Sequence, residues 1–328
     1  NIIDWFAMVI TIVLQTLFFT VGMQYNKKII NFSAMTVYAG MLIFFFVVLL
    51  SDVKITTEAF SNIFNLNKFL DVNNLAPLLT VAGTIFAYFS ILIISFGDFS
   101  RYVKNEQELK KGNLSLILNL IIFSFLSVFI VIGSDVFLNQ KFSDIDRTFT
   151  NPTDIVGKFD NIQITIVVLF FIIIASASTN LVANFIPSQY SLINFAPSIL
   201  GLKSASYLIA FFGLLIAIFW LTILSQIGIL SFVDTFGAFF GPLFGVMAAD
   251  YYLIKNQELS NKDLYSIDKE SAYYYSGGWH IKGVYSLILG FIFSASTIWN
   301  TNLMFLQSYA WIIGAFVAWI TYYLLAKK

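Results

Sequence analysis

The sequence predicts an all-α membrane protein, and three observations predict it. Hydrophobic residues fill 59% of the 328 positions while charged residues fill only 11%, against roughly 25% charged in a soluble domain. The apolar residues are gathered into long runs, and the mean hydropathy is +0.83. Those runs show no alternation of apolar and polar positions, which argues against the strands of a barrel. The zero formal net charge gives a nucleic acid no electrostatic footprint. With no cysteine and one histidine, His280, the chain has neither a disulfide framework nor a multi-histidine metal centre.

A helix needs about 20 mainly apolar residues to cross ~30 Å of hydrocarbon. Nine segments meet or approach that length: residues 5–23, 33–50, 77–96, 114–138, 162–186, 204–222, 227–254, 282–299 and 303–326. The chain opens Asn-Ile-Ile-Asp without an initiator methionine. Its first apolar run has no basic flank and no small-residue cleavage site, so the sequence reads as a cut edge before a span, not a signal peptide. The hydrophilic stretches 51–76 and 139–161 have room for short surface helices. The sixth and seventh segments are parted only by a few residues around Ser225 and Gln226.

Orientation follows from the connections. If residues 24–32 lie in the cytoplasm, that side holds 13 of the 18 basic residues. The other side holds Lys54, Lys68, Lys141, Arg147 and Lys158. The positive-inside rule then places Asn1 outside and Lys328 inside, with an odd number of helices expected before Asn1. The expected location is the plasma (inner) membrane, crossed several times.

Polar residues within the spans are the candidates for chemistry. In the fifth segment Ala175, Ser178 and Thr179 fall at i, i+3 and i+4, on one helical face. Two hydroxyls and a carbonyl are hard oxygen ligands suited to a small alkali cation. Ser176, Asn180 and Asn184 form a second row, whose amides can donate to and accept from a planar polar solute. Such residues equally serve as hydrogen-bonding glue between helices. At the end of the third segment, Asp98 and Arg101 are spaced to pair at the cytoplasmic mouth, or to form an ordinary charged helix end. Upstream, Ala87-Tyr88-Phe89-Ser90 is an aromatic cluster that also reads as packing. The seventh segment carries Asp234 and Asp250 around Gly237, Gly241, Pro242 and Gly245. Acids at membrane depth are expensive and point to function. Asp250 is expected at the cytoplasmic end, which leaves Asp234 as the acid to watch. The glycines and proline permit a bend or close packing.

Four stretches in order carry a resemblance. They are Gly-Asp-Phe-Ser-Arg-Tyr-Val-Lys at 97–104, Ser-Thr-Asn-Leu-Val-Ala-Asn-Phe-Ile-Pro at 178–187 and Gly-Pro-Leu-Phe-Gly-Val-Met-Ala-Ala-Asp-Tyr-Tyr-Leu-Ile at 241–254. The fourth is Asp263-Leu-Tyr followed by Tyr-Tyr-Tyr-Ser-Gly-Gly-Trp-His at 273–280. Together they resemble the nucleobase:cation symporter-1 family, permeases for uracil, cytosine, allantoin and hydantoins. The resemblance covers essentially the whole chain and aligns it with the fourth to twelfth helices of a twelve-helix family. It implies a LeuT-type fold of two inverted five-helix repeats plus two further helices, with the N-terminal helices absent from this chain.

The resemblance also assigns roles. It places Ala175, Ser178 and Thr179 at the cation site of sodium-coupled members, and Asn184 at the amide that binds the substrate ring; Asn180 of the amide row and Tyr88 of the aromatic cluster are further substrate-binding candidates. Phe89 stands where many relatives carry a stacking Trp, and Ala87-Tyr88 replaces the small residues common at that helix break. Asp234, Asp98 and Arg101 are candidates for coupling or gating. The implied function is uptake of a cyclic amide driven by sodium or protons, with no cofactor beyond the coupling ion. Two other readings compete with it. An amino-acid symporter of the same fold would differ in substrate. An intramembrane aspartyl protease needs two facing membrane-depth acids, one in Gly-x-Gly-Asp, but Ser95 fills the first Gly position and Asp98 sits among cytoplasmic charges.

Overall fold

The computed structural model describes residues 2–20, 23–51, 53–63, 71–141, 162–224, 226, 229–264, 266 and 268–327. Most of the expected outer loop 139–161, and Ser225 in the expected boundary between two spans, lie outside the described residues. Helices dominate: α1 (Ile2–Phe19), α2 (Met23–Ser51), α3 (Val53–Ile63), α4 (Leu75–Ile94), α5 (Phe96–Ser100) and α6 (Glu106–Lys141). After these come α7 (Ile162–Asn180), α8 (Ile186–Phe195), α9 (Leu202–Phe219), α10 (Ile229–Ala249), α11 (Asn261–Leu264), α12 (Ile281–Trp299) and α13 (Ala310–Ala326). Among the described residues no strand forms, apart from one isolated bridge between Ser276 and Trp279. Among the described residues, seven helical stretches are long and apolar enough to cross a membrane: Leu75–Ile94, Glu106–Ser134, Thr165–Phe195, Leu202–Phe219, Phe232–Ile254, Ile281–Trp299 and Thr301–Ala326. Two shorter apolar helices, Ile2–Leu17 and Ile30–Phe46, precede them.

Two compact units account for the chain, the first from residues 1–69 and 98–218, the second from 70–97 and 219–328. In the first, α2 packs on α6 and α7, and α3 packs on α6. Aromatic rings fill the contacts around α6, with Phe45 and Phe60 both against Phe129 at 4.3 and 4.9 Å between centroids. A second cluster forms where α7 meets α8: Leu181, Phe185 and Ile186 are buried against Ile30, Tyr190 and Ile209. Between α7 and α8 the backbone takes a π-helical turn, Leu181–Phe185, with Pro187 just beyond it. Proline has no N–H for the carbonyl four residues back and its ring crowds that carbonyl. A π turn absorbs the misfit without ending the helix, so the span runs on to Phe195, beyond the 186 expected from hydropathy.

The second unit is held by small residues. Lipid offers no hydrophobic drive between helices, so tight packing comes from surfaces that let backbones approach. On α10 the row Gly237, Gly241 and Gly245 faces Ala87 of α4 and the carbonyls of Trp311 and Ala315 on α13, and a Cβ at any of the three would collide. Gly314 of α13 makes room for the ring of Pro242. Ala238, Ala295, Ala310 and Ala318 are buried in the same region. Ser294 Oγ donates to the Ala310 carbonyl at 2.5 Å, tying α12 to the start of α13. Of the two roles expected for the glycine row, close packing is the one these contacts show.

Candidate functional site

Each unit holds polar side chains on otherwise apolar helices. In the first unit they gather on α7 and the π turn. Ser178 Oγ donates to the Ala175 carbonyl at 3.1 Å, which confirms that the two share a face. Thr179, one residue on, is exposed and has no side-chain hydrogen bond among the described residues. These are neutral oxygens on one turn, the kind of donor a hard monovalent cation takes. No group of three or more His, Asp and Glu side chains capable of holding a metal occurs among the described residues.

The amide row continues across three residues rather than two. Asn184 Nδ2 donates to Asn180 Oδ1 at 2.9 Å, and Asn180 Nδ2 donates to Gln15 Oε1 at 3.0 Å. Asn184 is exposed, while Asn180 and Gln15 are half-buried. Gln15 was missed in the sequence reading. Its signal was present: it is the single carboxamide in α1, and an amide among apolar residues must find a partner.

At the connection after α5, Asp98 Oδ1 stands 3.9 Å from Arg101 Nη1. The guanidinium carbon of Arg101 lies 4.5 Å from the ring centroid of Tyr190 on α8, and the Tyr102 and Tyr190 hydroxyls hydrogen-bond each other. Burial pushes the Asp98 carboxyl above its ordinary range, with Arg101 opposing the shift. Burial and the bond to Tyr190 likewise push the Tyr102 phenol up. Arg101 therefore serves as much to clasp α8 through an aromatic face as to pair with Asp98. Tyr190, seven residues beyond Ala183 in the motif, carried no sequence signal for this contact.

In the second unit, Phe89 is half-buried and Tyr88 exposed, their rings edge to face at 5.3 Å. Asp234 accepts a hydrogen bond from Gln307 Nε2 at 2.8 Å and another from the Thr84 side chain. Its partners are thus neutral, from α4 and from the 3₁₀ segment Thr301–Tyr309 that precedes α13.

The other acid is more heavily engaged than expected. Asp250 opens a π turn, Asp250–Ile254, and accepts from the Tyr322 hydroxyl at 2.5 Å and from Lys255 Nζ at 2.8 Å. Tyr322 is 1% exposed, so its hydroxyl had to find a partner inside the unit. His280 stacks on Tyr275 at 3.9 Å and stands edge-on to Tyr322. Lys255 also sits 4.1 Å from the ring centroid of Tyr273. These groups line a cavity of about 650 Å³. Burial works to lower the Lys255 ammonium, but its bonds to Asp250 and Tyr275 outweigh that and raise it. Burial depresses His280, against the pull of Asp250 and with Lys255 and Lys282 adding to the depression. The 273–280 stretch, read only as a family landmark, therefore sets Tyr273, Tyr275 and His280 against an ion-pair cluster.

Long apolar helices bearing amide, hydroxyl and carboxyl groups within their spans define a multi-pass membrane protein of the carrier kind. The chain belongs to the family described as permease for cytosine/purines, uracil, thiamine and allantoin, whose profile matches residues 1–323. It is the nucleobase:cation symporter-1 family to which the four motifs pointed, a family of transporters and not of enzymes. An allantoin permease of Bacillus subtilis is 28% identical over 74% of this chain and 48% of its own length. A purine-uracil permease of Arabidopsis thaliana is 25% identical over 74% of the chain and 41% of its own length. A hydantoin permease of Microbacterium maritypicum is 29% identical over 43% of the chain and 28% of its own length. The chain spans about half the length of the first of these relatives, and somewhat less of the second. No solved structure is significantly similar.

Proposed function

We propose that the full-length protein is a cation symporter importing a nucleobase or related cyclic amide such as uracil, cytosine, allantoin or hydantoin. The observation that carries this reading is the arrangement on α7. A neutral-oxygen face (Ala175, Ser178, Thr179) and an amide pair (Asn180, Asn184) lie within ten residues, on a helix loosened by a π turn. Asn184, exposed and held from behind by Asn180, offers a carbonyl and an N–H to a flat solute bearing the complementary pair. The oxygen face would hold a sodium ion beside it, as part of the transported cargo. The family resemblance gives the stacking role to Phe89 on α4. The LeuT-type fold, the plasma-membrane location and a cytoplasmic C-terminus belong to the same reading, supported by the family and by the bias of basic residues.

Proton coupling is the second reading, and Asp234 favours it. A carboxyl within a span whose partners among the described residues are the neutral side chains of Gln307 and Thr84 is a group that could carry the coupled proton.

Uptake of radiolabelled uracil, cytosine, allantoin, hydantoin and a purine by the full-length protein, with and without sodium, tests both. Asn184→Ala should weaken uptake of the accepted solute by about 5- to 150-fold. An unpaired polar group in a dry site costs about 1–3 kcal/mol, and ~1.4 kcal/mol is tenfold. Unchanged affinity in this variant would reduce the amide row to helix glue.

A further inference from the structure

Gln15 ends a chain of three amides, and it does so as an acceptor. Its Oε1 takes the N–H of Asn180, which turns Asn180 Oδ1 toward Asn184 and engages Asn184 Nδ2. What Asn184 then turns outward is its carbonyl oxygen and one remaining N–H. An asparagine without such an anchor is free to exchange its two ends, and would meet a solute with either. We propose that Gln15 is a specificity-determining positioning residue: through Asn180 it holds Asn184 with its carbonyl toward the solute, so the site selects ligands that present a ring N–H there. This inference rests on the reading of Asn184 as the substrate amide.

The geometry supports a relay over simple glue. Glue requires only that Gln15 and Asn180 satisfy each other across α1 and α7. Here the same Asn180 amide is shared with a third, exposed amide, so the state of the half-buried end is passed to the open one. Hydrogen bonds in series of this kind also polarise one another.

The test compares uracil with 1-methyluracil and 3-methyluracil, and hydantoin with its two N-methyl forms, as competitors of uptake by the full-length protein. The ratio of affinities for parent and methylated probe is independent of how much protein is folded, so a purely structural role cannot move it. Wild type should prefer the parent over one methylated form by at least about tenfold, the scale of one lost hydrogen bond in a dry site. Gln15→Leu, which removes the terminal acceptor, should bring that ratio to within about threefold of unity. Gln15→Glu, whose carboxyl oxygen still accepts, should restore it. Equal loss for parent and methylated probes in Gln15→Leu, or no loss for either, overturns the relay while leaving the site in place. If wild type takes up none of the five panel solutes, or Asn184→Ala does not weaken uptake of the accepted one, the site reading falls and the relay with it.

Discussion

Tyr322→Phe tests whether the Asp250 cluster holds the second unit together. The substitution removes one oxygen and leaves the ring, so no cavity opens around a side chain that is 1% exposed. Asp250 loses its 2.5 Å bond but keeps Lys255 at 2.8 Å on its other oxygen. It therefore does not become an orphaned charge, which would be the costlier outcome. A hydrogen bond to a charged group contributes about 1.5–3 kcal/mol. The retained Lys255 contact, with both partners 21% exposed to solvent, argues for the lower part, about 1.5–2 kcal/mol. At roughly 2–4 °C per kcal/mol, the scale for domains of about 150–250 residues, the melting temperature in detergent should fall by at most about 3–8 °C. Tyr285→Phe, at a side chain 63% exposed, is the control and should stay within about 0.5 kcal/mol of wild type. A shift below about 1 °C in Tyr322→Phe would show that the hydroxyl is a bystander. A loss as large as that of Tyr322→Leu would assign the stability to the ring and not to the ion-pair cluster.

The same cluster predicts a pH dependence. Burial sets the folded His280 below its ordinary value of 6.5, so on acidification the unfolded chain takes up the proton first. Stability should be full above pH 6.5 and decline as the pH falls toward the folded value. His280→Gln should flatten that limb of the melting profile, although Asp250, Lys255, Lys282, Tyr275 and Tyr322 still face the position. Thr179→Ala should raise the sodium needed for half-maximal uptake, and an unaltered sodium dependence at normal expression would move the coupling role toward Asp234. Phe89→Trp should be tolerated and Phe89→Ala should not, because stacking adds ~0.5–1.5 kcal/mol beyond burial and either ring supplies it; equal binding in all three would place no ligand on Phe89. For topology, single cysteines at positions 110 and 141 should differ toward an impermeant reagent, with position 141 labelled from outside; stronger labelling at 110 would invert the orientation.

Membrane residence, helical class and family were legible in the sequence because each is written locally. Twenty apolar residues in a row need no partner to identify them, and four motifs keep their order whatever the packing. The shared face of Ala175 and Ser178 followed from helical spacing alone, and the Ser178 hydroxyl does meet the Ala175 carbonyl. The pairing of Asn180 with Asn184 was implicit in the same period.

Tertiary structure decided the partners. Gln15 and Asn180 are 165 residues apart, Tyr322 and Asp250 72 apart, and Gln307 and Asp234 73 apart. No local period relates such positions, since a hydrogen bond across helices depends on which faces pack. The weight placed on Asp234 over Asp250 came from depth along one helix. The structure gave Asp250 the denser set of contacts, because α13 brings Tyr322 and the 273–280 stretch brings His280 to the same helix end. The glycine row on α10 was visible as a row, but only the opposing carbonyls of Trp311 and Ala315 showed what it admits. Sequence dictates where polar groups must find partners in lipid; the fold determines which partners are within reach.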